Sequence, residues 1–112
     1  MNICVSSYSF SRLVREGALK PDDVVLKAKE MGFHGIEFSG LWVPEGMTAI
    51  DYAIHLKNLA ENVGIKITGY SVGGNLLCSN QDEEIERLKR EVDVAHALGV
   101  DFMRHDVAYG PM

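Results

Sequence analysis

The sequence has few of the residues that mark specialised classes of protein. Its two cysteines, Cys4 and Cys78, lack CxxC spacing, which favours reduced, buried or half-buried thiols over a disulfide framework. No apolar run approaches the roughly 20 residues of a membrane span. The chain also begins without the basic flank of a signal peptide. We therefore expect a cytoplasmic protein with no membrane partner.

Basic residues are also scarce relative to acidic ones. The chain has 11 Lys and Arg against 16 Asp and Glu, a formal net charge of −5, and no stretch is strongly basic. Binding to a nucleic-acid backbone depends on clustered Lys and Arg, so no nucleic-acid partner is expected. Hydrophobic residues make up 46% of the 112 positions, which is enough to form the core of one small domain.

One short pattern recurs three times, at residues 28–33, 60–65 and 95–100. It reads Ala, two residues, an apolar residue, Gly and another apolar residue. The pattern predicts a helix that packs through Ala, ends at a Gly with positive φ, and is followed at once by a strand. The interval between repeats fits one helix, one strand and two loops, so we expect stacked β/α units.

Residues 1–112 are therefore predicted to form one α/β domain with the order β-α-β-α-β-α-β. The strands are expected at about residues 2–7, 33–39, 65–71 and 100–106. The third helix has the clearest apolar stripe, formed by Ile85, Leu88, Val92 and Ala95. Such alternation predicts parallel strands with right-handed crossovers. It allows an open doubly wound sheet or the amino-terminal half of a (β/α)8 TIM barrel, whose complete form has about 250 residues.

In both architectures, ligands bind at the carboxyl ends of the strands. Counting five residues from each repeated glycine selects Glu37, Gly69 and Arg104, which would share one face if the strands share a register. Alternation adds Ser39, Ser71 and Asp106 to this face, and it turns Ile36, Phe38, Met103 and His105 towards the helices. In a barrel, Glu37 and Arg104 would then sit in one layer and could form an ion pair, which is either structural or part of a substrate site.

Further candidates follow the first and second predicted strands. Serine and tyrosine hydroxyls can bind sugar hydroxyls, and aromatic rings suit the apolar face of a sugar, although Trp42 would equally cover a helix end. The predicted substrate-binding residues are Ser7, Tyr8, Phe10, Glu37, Trp42, Ser71, Arg104 and Asp106. His105 is a candidate metal ligand or base, but its predicted direction towards the helices favours a packed, hydrogen-bonded histidine.

Residues 4–10, 31–38 and 98–106 resemble segments of sugar phosphate isomerases/epimerases of the xylose isomerase-like TIM barrel superfamily (AP endonuclease family 2-like). The most specific part is the phrase Gly-Phe-His-Gly-Ile-Glu at residues 32–37. The resemblance implies the amino-terminal half of a (β/α)8 barrel. It also implies an isomerase or epimerase in which a divalent metal (Mn, Mg, Co or Zn) assists proton transfer beside the carbonyl of a keto- or aldo-sugar.

In this family, the metal ligands and catalytic glutamates come mostly from later strands. The chain is therefore expected to supply part of the pocket for a sugar or sugar phosphate, without a metal or the catalytic centre. Strand three ends at Ser71 without the zinc-binding histidine of the endonuclease branch. The alternatives are a non-catalytic half-barrel or binding module that self-associates into a homo-oligomer, and a small open sheet of flavodoxin type.

Overall fold

A computed structural model describes residues 3–76 and 79–106, in which strands and helices alternate. The strands are β1 (Cys4–Ser6), β2 (Gly35–Ser39), β3 (Lys66–Val72) and β4 (Met103–His105). The helices are α1 (Ser11–Arg15), α2 (Pro21–Glu30), α3 (Ala49–Val63) and α4 (Gln81–Leu98), and a 3-10 turn (Ser7–Phe10) precedes α1. The predicted order is confirmed, with β1 and β4 shorter than expected.

Local signals in the sequence define the ends of the two long helices. Thr48 Oγ1 accepts a hydrogen bond from the backbone N–H of Asp51 at 3.1 Å, and this bond caps the first turn of α3. Asn80 caps α4 in the same way. The helices α3 and α4 end at Gly64 and Gly99, whose φ angles of 81° and 77° favour glycine. The repeated glycine therefore marks where these helices end.

The strands follow one another in the sheet in the same order as in the chain, and all three neighbouring pairs are parallel. Right-handed crossovers that always advance in one direction lie on the same face of a sheet. A doubly wound sheet instead reverses its strand order and carries helices on both faces. The flavodoxin-type alternative therefore does not describe these strands, whereas their order is compatible with half of a barrel.

The helices cover one face of the sheet and form the hydrophobic core with it. Ile36 and Phe38, predicted to face the helices, are buried there, together with Ile67 and Tyr70 of β3. The opposite face, which we call the open face, carries Cys4. This thiol is free and exposed, so the prediction of a buried or half-buried Cys4 is wrong, because β1 is an edge strand and no described element covers that face. Cys78 lies outside the described residues.

The predicted stripe of α4 is only partly buried. Leu88 and Ala95 are buried as expected, but Ile85 and Val92 are 42% and 56% exposed. They are seven residues apart and so lie on the same flank of the helix. Within residues 3–76 and 79–106, no element covers this flank, and the apolar pattern overestimates the buried part of α4.

A cluster of three side chains connects α2 to α3. Tyr52 donates its hydroxyl proton to Asp22 Oδ1 at 2.6 Å, and His55 Nε2 lies 2.7 Å from Asp22 Oδ2. The Tyr52 and His55 rings stack with centroids 5.8 Å apart. Burial alone would raise the pKa of the Asp22 carboxyl, but the hydrogen bonds from Tyr52 and His55 outweigh it and hold that pKa below its usual value.

We expect Asp22→Asn to destabilise the protein at pH 5 and to have a smaller effect as the pH falls. A carboxyl whose pKa is lower in the folded state stabilises the fold above its unfolded pKa of about 3.8, and this contribution disappears as the pH falls through the folded value. Urea unfolding of both proteins between pH 5 and pH 2 measures the difference. A free-energy difference that stays constant over this range would contradict the assignment.

Gly35 is expected to tolerate no side chain. A Cβ atom at Gly35 would lie 2.7 Å from both Cys4 Sγ and Thr68 Cγ2, which come from the two neighbouring strands. We therefore expect Gly35→Ala to destabilise the protein by about 1–3 kcal/mol, as overpacking usually does. Gly73→Ala is the control, because a Cβ there has no neighbour within 4 Å. Equal unfolding midpoints in urea for the two variants would refute this prediction.

Candidate functional site

Five polar residues and one glycine form two rows across the open face. In parallel strands, paired residues point to the same face at the same level. The lower row is Ser6, Glu37 and Gly69, and the upper row, nearer the carboxyl ends, is Ser39, Ser71 and Arg104. We call these the polar rows. They confirm that Glu37, Gly69 and Arg104 share a face, as the repeated glycine predicts.

The level of Arg104 differs from the prediction. Glu37 pairs with Gly69 as expected, but Arg104 pairs with Ser71, which is two positions nearer the carboxyl end of β3. Phe102 takes the place beside Gly69, where an added Cβ would lie 2.9 Å from Phe102 Cζ. The segment from Gly99 to β4 therefore enters the sheet at a different level from the segment from Gly64 to β3. As a result, counting five residues from each glycine places Arg104 one row too low.

Glu37 bonds to a serine instead of Arg104. Ser71 Oγ donates a hydrogen bond of 2.8 Å to Glu37 Oε1, and both residues are at least partly buried. Glu37 and Arg104 form no ion pair in the described residues, which contradicts the pair expected from the sequence. Arg104 is exposed, so its guanidinium is accessible to a ligand.

The residues after β1 have structural contacts in this arrangement. Ser7 is fully buried, and its Oγ accepts a hydrogen bond of 2.8 Å from the backbone N–H of Ser39. Phe10 belongs to the core, and Trp42 is partly buried against it, whereas Tyr8 is exposed. These contacts join the end of β1 to the end of β2. Substrate contact by these four residues stays a prediction.

The end of β4 lies close to the loop after β3. His105 is exposed and its Nδ1 lies 3.0 Å from the backbone carbonyl oxygen of Asp106. Gly74 permits this approach, because a Cβ there would collide with the same carbonyl. Asp106 is exposed, and its role as a substrate ligand stays a prediction. Among the residues that the structure describes, no group of three or more His, Cys, Asp or Glu side chains could hold a metal ion.

An ion pair that the sequence analysis did not identify holds the loop after β3. Arg87 contacts Glu84 at 2.6 Å and donates to the Gly73 carbonyl at 2.6 Å, while Glu84 Oε2 accepts the Asn75 backbone N–H at 2.7 Å. The hydrogen bond from Arg87, then that from Asn75, lowers the pKa of the Glu84 carboxyl. The sequence does contain a signal for this ion pair, because Glu84 and Arg87 are three residues apart and follow the loop with Gly73 and Gly74.

No protein-family model matches the sequence, and no curated protein matches it. Across the described ranges, none of the helices combines the length and apolar character needed to cross a bilayer. The geometry of the sheet and the resemblance of its short segments are therefore the indications of its function.

We expect Ser71→Ala to destabilise the protein by about 1 kcal/mol, because it leaves a half-buried carboxylate with one fewer hydrogen bond. A double-mutant cycle with Glu37→Ala should give a coupling energy of similar size. Ser39→Ala is the control, since Ser39 lies in the same row but is exposed. If Ser39→Ala and Ser71→Ala give the same unfolding free energy, Ser71 does not anchor Glu37.

Proposed function

We propose that this chain is the amino-terminal half of a (β/α)8 barrel and supplies part of the substrate pocket of a sugar isomerase or epimerase. The observation that carries the proposal is the pair of polar rows on the open face of a sheet whose other face is covered by helices. In a barrel, this face becomes the interior, and ligands bind at its carboxyl end. The segments that resemble sugar phosphate isomerases/epimerases include Glu37 and Arg104.

The chemistry of the polar rows suits a polyhydroxylated ligand. A sugar hydroxyl both donates and accepts hydrogen bonds, and the rows offer an acceptor in Glu37, hydroxyls in Ser39 and Ser71, and a donor in Arg104. Two strand spacings separate Ser39 from Arg104, a span of about 10 Å. This length is comparable with the extended chain of a monosaccharide.

The residues of this chain would bind and orient the sugar. Ser71 fixes one oxygen of Glu37, so the second oxygen of the carboxylate can accept a hydrogen bond from a substrate hydroxyl. Arg104 would donate to a substrate oxygen one row nearer the mouth of the pocket. Positioning of this kind lowers the barrier to proton transfer beside the carbonyl by fixing the reacting carbon against its base.

The described residues do not fit the role of metal site. They contain no cluster of ligands, so no step of the reaction is assigned to a metal in this chain. In the complete protein, the family resemblance implies metal ligands and glutamate bases that come mostly from later strands. A divalent metal there would polarise the oxygens of the substrate.

The proposal is tested on the complete protein with a divalent metal and a panel of keto-sugars, free and phosphorylated. Glu37→Ala and Arg104→Ala should each lower kcat/KM by about 10- to 100-fold, since each removes a charged hydrogen bond of about 1.5–3 kcal/mol. Arg15→Ala and Glu61→Ala, at exposed helix positions, are the matched controls.

Two results would count against the proposal in different ways. A complete protein that interconverts none of the sugars in the presence of metal would remove the isomerase assignment. Retained kinetics in both Glu37→Ala and Arg104→Ala would leave the enzyme class standing but would make these two residues structural.

A further inference from the structure

The loop after β3 is bonded to α4 along its length. Its residues 73–76 follow Val72 directly and belong to no helix or strand. Gln81, Glu84 and Arg87 are three residues apart, so their side chains are neighbours along one flank of α4. Each of them forms a hydrogen bond of 2.6–2.8 Å with a backbone group of this loop. The first two turns of α4 therefore determine where the loop lies.

Glu84 and Arg87 form the centre of this contact. Arg87 Nε donates to Glu84 Oε1 at 2.6 Å, and Nη2 donates both to Glu84 Oε2 at 3.2 Å and to the Gly73 carbonyl at 2.6 Å. Glu84 Oε2 also accepts the Asn75 N–H, and its side chain is only 14% exposed. A planar guanidinium can hold a carboxylate with two bonds, whereas the ammonium of a lysine cannot reproduce this fork. The pair therefore differs from exposed ion pairs, which contribute little.

The same loop lies against the end of β4. Gly74 is buried beside the Asp106 carbonyl, where an added Cβ would collide. Just before the loop, Ser71 pairs with Arg104 and donates its hydroxyl proton to Glu37. The loop is thus fixed between α4 on one side and the carboxyl end of β4 on the other. A displacement of the loop would move side chains of both polar rows.

We infer that Glu84 and Arg87 are positioning residues of the proposed substrate site. By fixing the loop after β3, they fix Ser71 and the end of β4, and with them the separation of Glu37 from Arg104. The positioning role rests on the proposed function, whereas the bonds to the loop do not. Loops at the carboxyl ends of the strands form the site in barrel enzymes, and a displacement of about 1 Å can cost about 100-fold in rate.

The first part of the test measures hydrogen exchange of the Asn75 amide by NMR in the complete protein. Glu84→Gln and Arg87→Lys should each accelerate this exchange by about tenfold or more, because the amide loses a charged acceptor or the acceptor loses its bidentate partner. Glu86→Gln and Lys89→Ala are the matched controls and should leave the exchange unchanged. Glu86 and Lys89 also form an i,i+3 ion pair on α4, at 3.2 Å, but both side chains are mostly exposed.

The second part of the test measures kcat/KM with a sugar that the complete protein interconverts. Glu84→Gln and Arg87→Lys should each lower kcat/KM by about tenfold, and the two control variants should leave it unchanged. In an Arg104→Ala background, Arg87→Lys should have a clearly smaller effect, because the guanidinium that it would misplace is already absent. A purely structural role of the pair would instead give effects that multiply.

Two results would overturn this inference alone. Equal exchange of the Asn75 amide in Glu84→Gln and Glu86→Gln would mean that the pair does not hold the loop. Effects of Arg87→Lys and Arg104→Ala that multiply would mean that the pair positions nothing. A complete protein that converts no sugar would remove the proposed function and the positioning role with it, while the exchange of the Asn75 amide would still show whether the pair holds the loop. Circular dichroism confirms that each variant is folded.

Discussion

Parallel strands that are neighbours in both the chain and the sheet constrain every other part of this protein. Crossovers between parallel strands are almost always right-handed, and these advance in one direction, so α2, α3 and α4 all pack on one face. The core therefore lies between this face and the helices. The opposite face carries charged side chains that are costly to bury in a hydrophobic core, including Glu37 and, one row higher, Arg104.

Small residues shape the open face and thereby fix its polar rows. Gly35 allows the strands on either side of β2 to bring Cys4 and Thr68 together above it, and Gly69 makes room for the ring of Phe102. That ring occupies the level that Arg104 would otherwise reach. Arg104 lies one row higher and is exposed, so its guanidinium is accessible at the carboxyl end of the strands, the end at which parallel α/β folds usually bind ligands.

The features that the sequence predicts well are local ones. Helix caps at Thr48 and Asn80 and the glycines after α3 and α4 act within a few residues, so the ends of these helices could be read directly. Alternation within β2 likewise separates Ile36 and Phe38 from Glu37, because the direction of a side chain along one strand has a period of two.

Relations between elements were harder to predict. The pairing of Arg104 with Ser71 depends on the connection before β4, and the pairing of β2 with β3 contains a register shift between Ile36 and Glu37. No pattern within one strand reveals either of them. Exposure of Ile85 and Val92 depends on whether a neighbouring helix is present, and an apolar stripe cannot show this. The hydrogen bond from Ser71 to Glu37 also depends on how two strands pair, which the pattern within β2 alone cannot show.

The position of the two charges connects the fold to its proposed chemistry. Glu37 is half-buried and held by Ser71, whereas Arg104 is exposed at the carboxyl end of the strands. Any further strands that close this sheet would surround both groups with low-dielectric walls. Unpaired charges in such a setting require water or a polar ligand. In the proposed barrel, the polar rows would therefore line a pocket, and the groups opposite them would decide whether the proposed enzyme moves a proton of its ligand there.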